Sequence, residues 1–155
     1  MLSHGALQQR DVLEVRSMIE VPATGYAAMR RTEADLEAIR AALVVPRRGP
    51  VEQQVLGHRA FHLAIARAGR NALCELLVHP LYPPLTEGRL AGIISDVFWN
   101  RIDTEHHEIV DAVAAGDVMA AQRAASRHVA HLREAFEHFA PSPEAGRVIS
   151  AVTTA

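Results

Sequence analysis

The sequence predicts an all-α fold, a helical bundle, and three observations carry that prediction. Apolar residues recur at i, i+3, i+4 and i+7 along most of the chain, the period of helices that bury one face. Aromatic residues make up only 5% of the chain while alanine is abundant, which favours closely packed helices over a sheet. No stretch shows the strict alternation of a strand, and there is no internal repeat. The length of 155 residues fits one domain over 1–155, with its core from about residue 8 to 139 and no need of disulfides.

The elements follow in order. Val12, Arg16 and Ile19 fall at i, i+4, i+7 in a helix from about Leu7 to Ile19. Pro22 either starts a new helix or kinks this one, and Tyr26 to Met29 carries helix on to about Arg31. Thr32 starts the next, with Asp35 three residues on as a short-acid capping box and Leu36, Ile39 and Leu43 as its buried face. Pro46 to Pro50 is a loop. Helix returns from about Val51 to Ala68, with Gly69 as its C-cap. A short helix from Asn71 to Leu77 stops at the proline-rich His79–Pro84 run. Leu85 to about Asn100 reads as helix with Leu90, Ile93, Ile94 and Val97 inward. Asp103 is positioned to cap a helix ending at Gly116, and Asp117 to cap the last, which runs to about Phe139. The tail from Ser142 is small and polar.

Composition excludes several classes. A formal net charge of −2 argues against a free-standing nucleic-acid binder, which needs a basic stripe. One cysteine, Cys74, rules out an intramolecular disulfide framework and suits a reducing, cytoplasmic setting. No apolar run approaches a membrane span, and no signal-peptide core is present, so no membrane partner is expected.

Nine histidines are the unusual count, and their spacing decides what they can do. His58 and His62 lie one helical turn apart, on the stripe of Val55 and Ile65. His106 shares a stripe with Ile102, Ile109, Val110 and Val113, while His107 lies on the polar face with Asp103 and Asp111. His128 follows the buried period of Val118, Ala121, Ala125 and Leu132; His131 and His138 fall on the wetter side. Three helices therefore aim imidazoles inward. Burying them without partners costs about 1–3 kcal/mol for each unsatisfied group. Two readings stay open here: a shared divalent transition metal, or core histidines hydrogen-bonded separately.

Enzyme signatures are missing. There is no His-Glu-x-x-His, and no histidine has glutamate three residues before it. Cys74, between Leu73 and Leu76, reads as a buried thiol rather than a nucleophile. Asp103 and Glu105 read first as helix N-terminal acids, with support of His106 as the alternative.

Four motifs in order resemble the FCD domain, the effector-binding domain of one branch of GntR-family bacterial transcription regulators. These are Glu14-Val15-Arg16 through Glu20 with Ala27-Ala28-Met29-Arg30-Arg31-Thr32; Phe61-His62-Leu63-Ala64-Ile65-Ala66 with Asn71; Glu105-His106-His107-Glu108-Ile109 ending in Gly116-Asp117; and His128 on the final helix. The resemblance spans about Asp11 to Phe139. It implies an antiparallel bundle of six or seven helices around a central pocket. There an aspartate and three histidines hold zinc, nickel or another divalent metal beside a small carboxylate effector. The histidines correspond to His62, His106 and His128, and the aspartate's position is occupied by His58. Four imidazoles favour zinc, nickel, cobalt or copper over magnesium or manganese, and leave the metal's charge uncompensated for an anionic effector. Alternatively His58 stands aside and leaves three ligands.

Arg16 is the first candidate for a second effector contact, through bidentate recognition of a carboxylate, against the alternative of pairing with Glu20. Arg30, Asn71 and Arg101 are further candidates. Arg70 stands where the family commonly has glycine before the motif's asparagine, so that turn is expected to differ. The resemblance implies a homodimer that reaches DNA only through a winged-helix domain not found in this chain, which is then a piece of a regulator or a stand-alone effector domain. The competing functions are a metal-dependent enzyme of small organic acids and a structural dimerisation module without metal.

Overall fold

The computed structural model describes residues 9–43, 51–82 and 95–139. Six α-helices are present among them: α1 (Gln9–Arg30), α2 (Glu33–Leu43), α3 (Val51–Ala68), α4 (Ala72–Val78), α5 (Asp96–Ala115) and α6 (Val118–Phe139), with a 3₁₀ turn at His79–Leu81 after α4. The expected loop at Pro46–Pro50, the inward positions Leu90, Ile93 and Ile94, and the tail from Ser142 lie outside the described residues, as do the side chains of His138 and Phe139.

Pro22 neither starts nor ends a helix, because α1 runs through it unbroken. The proline removes the bond to the carbonyl of Met18, and Met18 is solvent-exposed, so water can take that bond's place. The Thr32 capping box forms as the sequence suggests. The Thr32 N–H donates to Asp35 Oδ2 at 2.8 Å, and the Asp35 N–H donates to Thr32 Oγ1 at 3.3 Å. That backbone donor, with Arg70 at 2.6 Å, holds the Asp35 carboxyl below its usual range.

Two boundaries differ from expectation. The fifth helix is capped by Ser95, whose side chain accepts from the Phe98 N–H, not by Asp103 eight residues further on. It therefore begins within the stretch read as a separate helix, and Val97 is exposed at 78% rather than inward. At the end of α3 the left-handed residue is Arg70 (φ 54°) rather than Gly69. Asn71 then caps α4 by accepting from the Leu73 and Cys74 N–H groups. Cys74 is half-buried, not fully buried as expected. Gly116, at φ 71°, closes α5 as expected, and Asp117 caps α6 through the Ala120 N–H.

Packing places the site. α6 lies along both α1 and α5, and α2 lies along α3. At Gly25 an added Cβ would come within 2.6 Å of the Gln122 amide, so the Gln122 side chain of α6 lies directly over this glycine and would have to shift for any larger residue. Three apolar clusters make up the described core; a small one of Ala66, Val78 and Tyr82 sits beside α4, and the two larger ones span the bundle. One joins Ala27, Ile39, Phe61, Ile65, Ile109, Val113 and Ala125. The other joins Val12, Leu13, Val55, Ile102, Leu132 and Phe136. Residue numbers rise from the second cluster to the first along α1, α3 and α5 and fall along α6, so α6 runs antiparallel to the other three. Between these two clusters the four helices present Arg16, Glu20, His58, His62, Glu105, His106 and His128, a polar layer across the bundle's waist.

Candidate metal centre

The histidines enter this layer because helical spacing puts them in register with it. His58 and His62 follow Val55 by one and two turns on α3, while His106 and His128 lie one turn from Ile102 and Leu132. One nitrogen from each of the four lies within 4.8 Å of those of the other three. His58 Nε2 is 3.1 Å from His62 Nε2 and 3.2 Å from His128 Nε2. The His106 ring stacks on Phe61 at 4.0 Å between centroids and lies parallel to the His58 ring at 5.0 Å. His62, His106 and His128 are buried and His58 is partly buried.

The opposite ring nitrogens set the tautomers. His62 Nδ1 lies 3.1 Å from Glu20 Oε2, and His128 Nδ1 lies 2.9 Å from Glu105 Oε2. An ionised carboxylate only accepts, so each Nδ1 carries the hydrogen and each Nε2 presents a lone pair. Both lone pairs face His58 Nε2, whose single hydrogen can serve one of them well but not both. A cation among the three nitrogens satisfies all of them. Tetrahedral zinc bound to nitrogen at about 2.0–2.1 Å sets its ligands roughly 3.3 Å apart, close to the two separations from His58, while the whole set spreads to 4.8 Å. Burial, with help from the neighbouring imidazoles and the positive Arg16, holds His58 and His62 well below the usual histidine value; burial also lowers His128 despite Glu105. The neutral form that results is the form that binds metal. The residues present therefore fit a divalent transition metal.

A second network adjoins the first. Arg16 Nε donates to Glu20 Oε1 at 2.7 Å, and its Nη2 donates to Glu20 Oε2 at 3.1 Å and to the Tyr82 hydroxyl at 2.8 Å. Tyr82 in turn donates to Glu20 Oε1 at 3.0 Å. Arg16 is fully buried, and its Nη1 has no hydrogen-bond partner among the described residues. Burial alone would weaken its charge, but Glu20 and Tyr82 more than offset this and raise its pKa.

The other candidate arginines and Asn71 lie elsewhere. Arg30 donates to the Gly69 carbonyl at 2.9 Å and stacks on Tyr26. The Asn71 side chain is committed to capping α4. Arg101 pairs with Glu105 at 3.1 Å and lines an open groove of about 590 Å³ with His131, on the outer side of α5 and α6. His131 itself is buried at 8% exposure, contrary to its expected wet position, because Glu105 also accepts from its Nδ1. Glu105 sits in mid-helix and is no N-terminal acid. Two partners escaped the sequence reading: Glu20 as a partner of His62, and Tyr82. Tyr82 carried no signal, because the proline-rich run around it has no period to reveal an inward position.

Fold and site together define an all-α bundle with an imidazole-lined centre. The chain belongs to the FCD domain family, whose model matches residues 11–131. It is 35% identical over 134 residues to the HTH-type transcriptional regulator LutR of Bacillus subtilis (strain 168), covering 81% of this chain and 60% of that protein. It is 26% identical over 134 residues to the putative L-lactate dehydrogenase operon regulatory protein of Escherichia coli (strain K12), covering 83% of this chain and 52% of that one. The chain thus spans about half to three-fifths of these relatives' length. Among solved structures it resembles E. coli McbR/YncC, with a TM-score of 0.73 at 18% identity over 87% of this chain and 67% of that one, a likeness of fold. The relatives are transcription regulators, not enzymes. No described helix is long and apolar enough to cross a membrane.

Proposed function

We propose that this chain is the effector-binding and dimerisation domain of a GntR-family transcription regulator. It senses a small carboxylate at a divalent metal, zinc or nickel, held by His58, His62, His106 and His128. The observation that carries this reading is the convergence of four imidazoles beside a buried guanidinium with a donor to spare. A metal bound there would supply a Lewis-acid centre and draw in an anion. Arg16 Nη1 is the chain's own donor for the effector's second contact. The name of the E. coli relative makes lactate, a 2-hydroxy acid, the first effector to try. Dimerisation is supported by exposed apolar side chains on two helices in contact, Val15, Met18 and Met29 on α1 and Leu73, Leu76 and Leu77 on α4. DNA would be reached through a winged-helix domain outside this chain.

Protein purified without a nickel column is expected to contain about one equivalent of zinc or nickel. It should melt at a higher temperature with lactate or a related carboxylate, turn none of them over, and give twice the chain mass by light scattering. Absence of metal and of any melting shift would leave the structural dimerisation module; turnover would restore the metal-dependent enzyme. His58→Asp should keep the metal but move its preference towards manganese, because oxygen donors suit harder ions. Metal content and selectivity identical to the parent protein would exclude His58 as a ligand.

A further inference from the structure

We propose that Glu105 and Glu20 are positioning residues for the metal centre. Each would fix the tautomer and ring rotation of one ligand histidine, and together they would supply the negative charge that four imidazoles lack. The inference rests on the metal reading above and extends it from the ligands to the carboxylates behind them.

Both carboxylates are nearly buried, Glu20 at 4% and Glu105 at 9% exposure. A buried carboxylate is unfavourable unless a cation or several donors face it. Glu20 has the fully buried Arg16, held through both oxygens. Glu105 has no such partner. The guanidinium beside it, Arg101, has a side chain 57% exposed, and its inner donors are the Nδ1 groups of His128 and His131. A divalent ion on the far nitrogen of His128 would add, through that ring, a positive charge that further favours the carboxylate at this position. The two glutamates also act on different helices: Glu20 reaches His62 from α1, and Glu105 reaches His128 from α5. Neither His62 nor His128 can then turn without breaking a charge-assisted hydrogen bond. Glu20 is paired with the fully buried Arg16, whereas the guanidinium on Glu105 is half in solvent, so more of the Glu105 charge is left for the centre. Removing such an outer carboxylate typically weakens metal binding by about 10–100-fold.

The test is a competition titration of chelated, refilled protein with zinc, together with the ligand-field spectrum of the cobalt form. Glu105→Gln keeps an acceptor oxygen but loses the charge. It should bind zinc about 10–100-fold more weakly and alter the cobalt absorption, while Glu108→Gln, on an exposed carboxylate paired with Arg127, should change neither. Equal zinc affinity and an unchanged cobalt spectrum in Glu105→Gln would overturn the proposal. A parent protein that takes up no cobalt overturns the metal reading and this inference with it. Nitrogen-15 NMR of the parent histidines tests the same point without a variant. Hydrogen on Nδ1 of both His62 and His128 supports it; hydrogen on either Nε2 overturns it.

Discussion

Replacing Arg16 with methionine is expected to destabilise the domain by roughly 3–5 kcal/mol, the usual cost of removing one partner of a buried ion pair. Arg16 is fully buried, and its guanidinium is held by Glu20 and Tyr82. Without it the Glu20 carboxylate stays buried at 4% exposure, facing only a phenol and an imidazole. In a domain of this size that loss lowers the melting temperature by roughly 6–20 °C. Arg16→Met combined with Glu20→Met should recover much of the stability, since well-packed apolar side chains often replace a buried pair without loss. The double variant should still fail to respond to carboxylates, because it lacks both the Nη1 donor and the carboxylate behind His62. Chemical denaturation of the metal-free proteins gives the stabilities. A single variant within about 1 kcal/mol of the parent would show that the pair does not carry the buried charge as described.

Acid should unfold the metal-free domain early, below about pH 6.5 and well before its carboxylates titrate. His58, His62 and His128 all have folded pKa values below the ordinary 6.5, chiefly through burial. Well above that pH each imidazole is neutral in both states and adds no pH dependence. Below it the unfolded chain takes up a proton at each site and the folded chain does not, so stability falls. Each histidine contributes up to about 1.4 kcal/mol per pH unit until the pH passes its lower folded value. Glu105 adds to the loss further down: burial raises its pKa, but hydrogen bonds from His128 and His131 outweigh burial and keep it below 4.5. Urea midpoints of chelated protein at pH 7.5, 6.5 and 5.5 should fall modestly between the first two and steeply between the second and the last. A flat profile down to pH 5.5 would mean that these rings are not held neutral.

The sequence was most legible where a helical period was intact. The stripes through Val55 and Ile65, through Ile102 and Val113, and through Ala121 and Leu132 aimed four histidines inward, and those four meet. Periodicity reports a side chain's direction but not its partner, and there the reading fell short. Glu105 precedes His106 and drew attention as a helix-start acid, yet it reaches across to α6. His131 reads as wet because Arg127 and Glu134 share its side of the helix, but Glu105 and the Phe98 ring, both from a neighbouring helix, cover it. The start of α5 departs from the expected one for a related reason. Asp103 has the chemistry of a cap, but Ser95 lies earlier and takes the role. Arg30 and Asn71 also have local partners that periodicity does not reveal: Arg30 joins the end of α3 to α1, and Asn71 begins α4.

The polar layer at the bundle's waist also bears on when a metal could be taken up. His58 and His128 touch across 70 residues of chain. An unfolded polypeptide would have to close that loop before both could share an ion, an entropic cost of roughly 4 kcal/mol on the scale used for disulfides. The folded bundle holds the loop closed already. Metal added during synthesis would thus find the local pair, His58 and His62, first, and the full set of four only after α6 has docked.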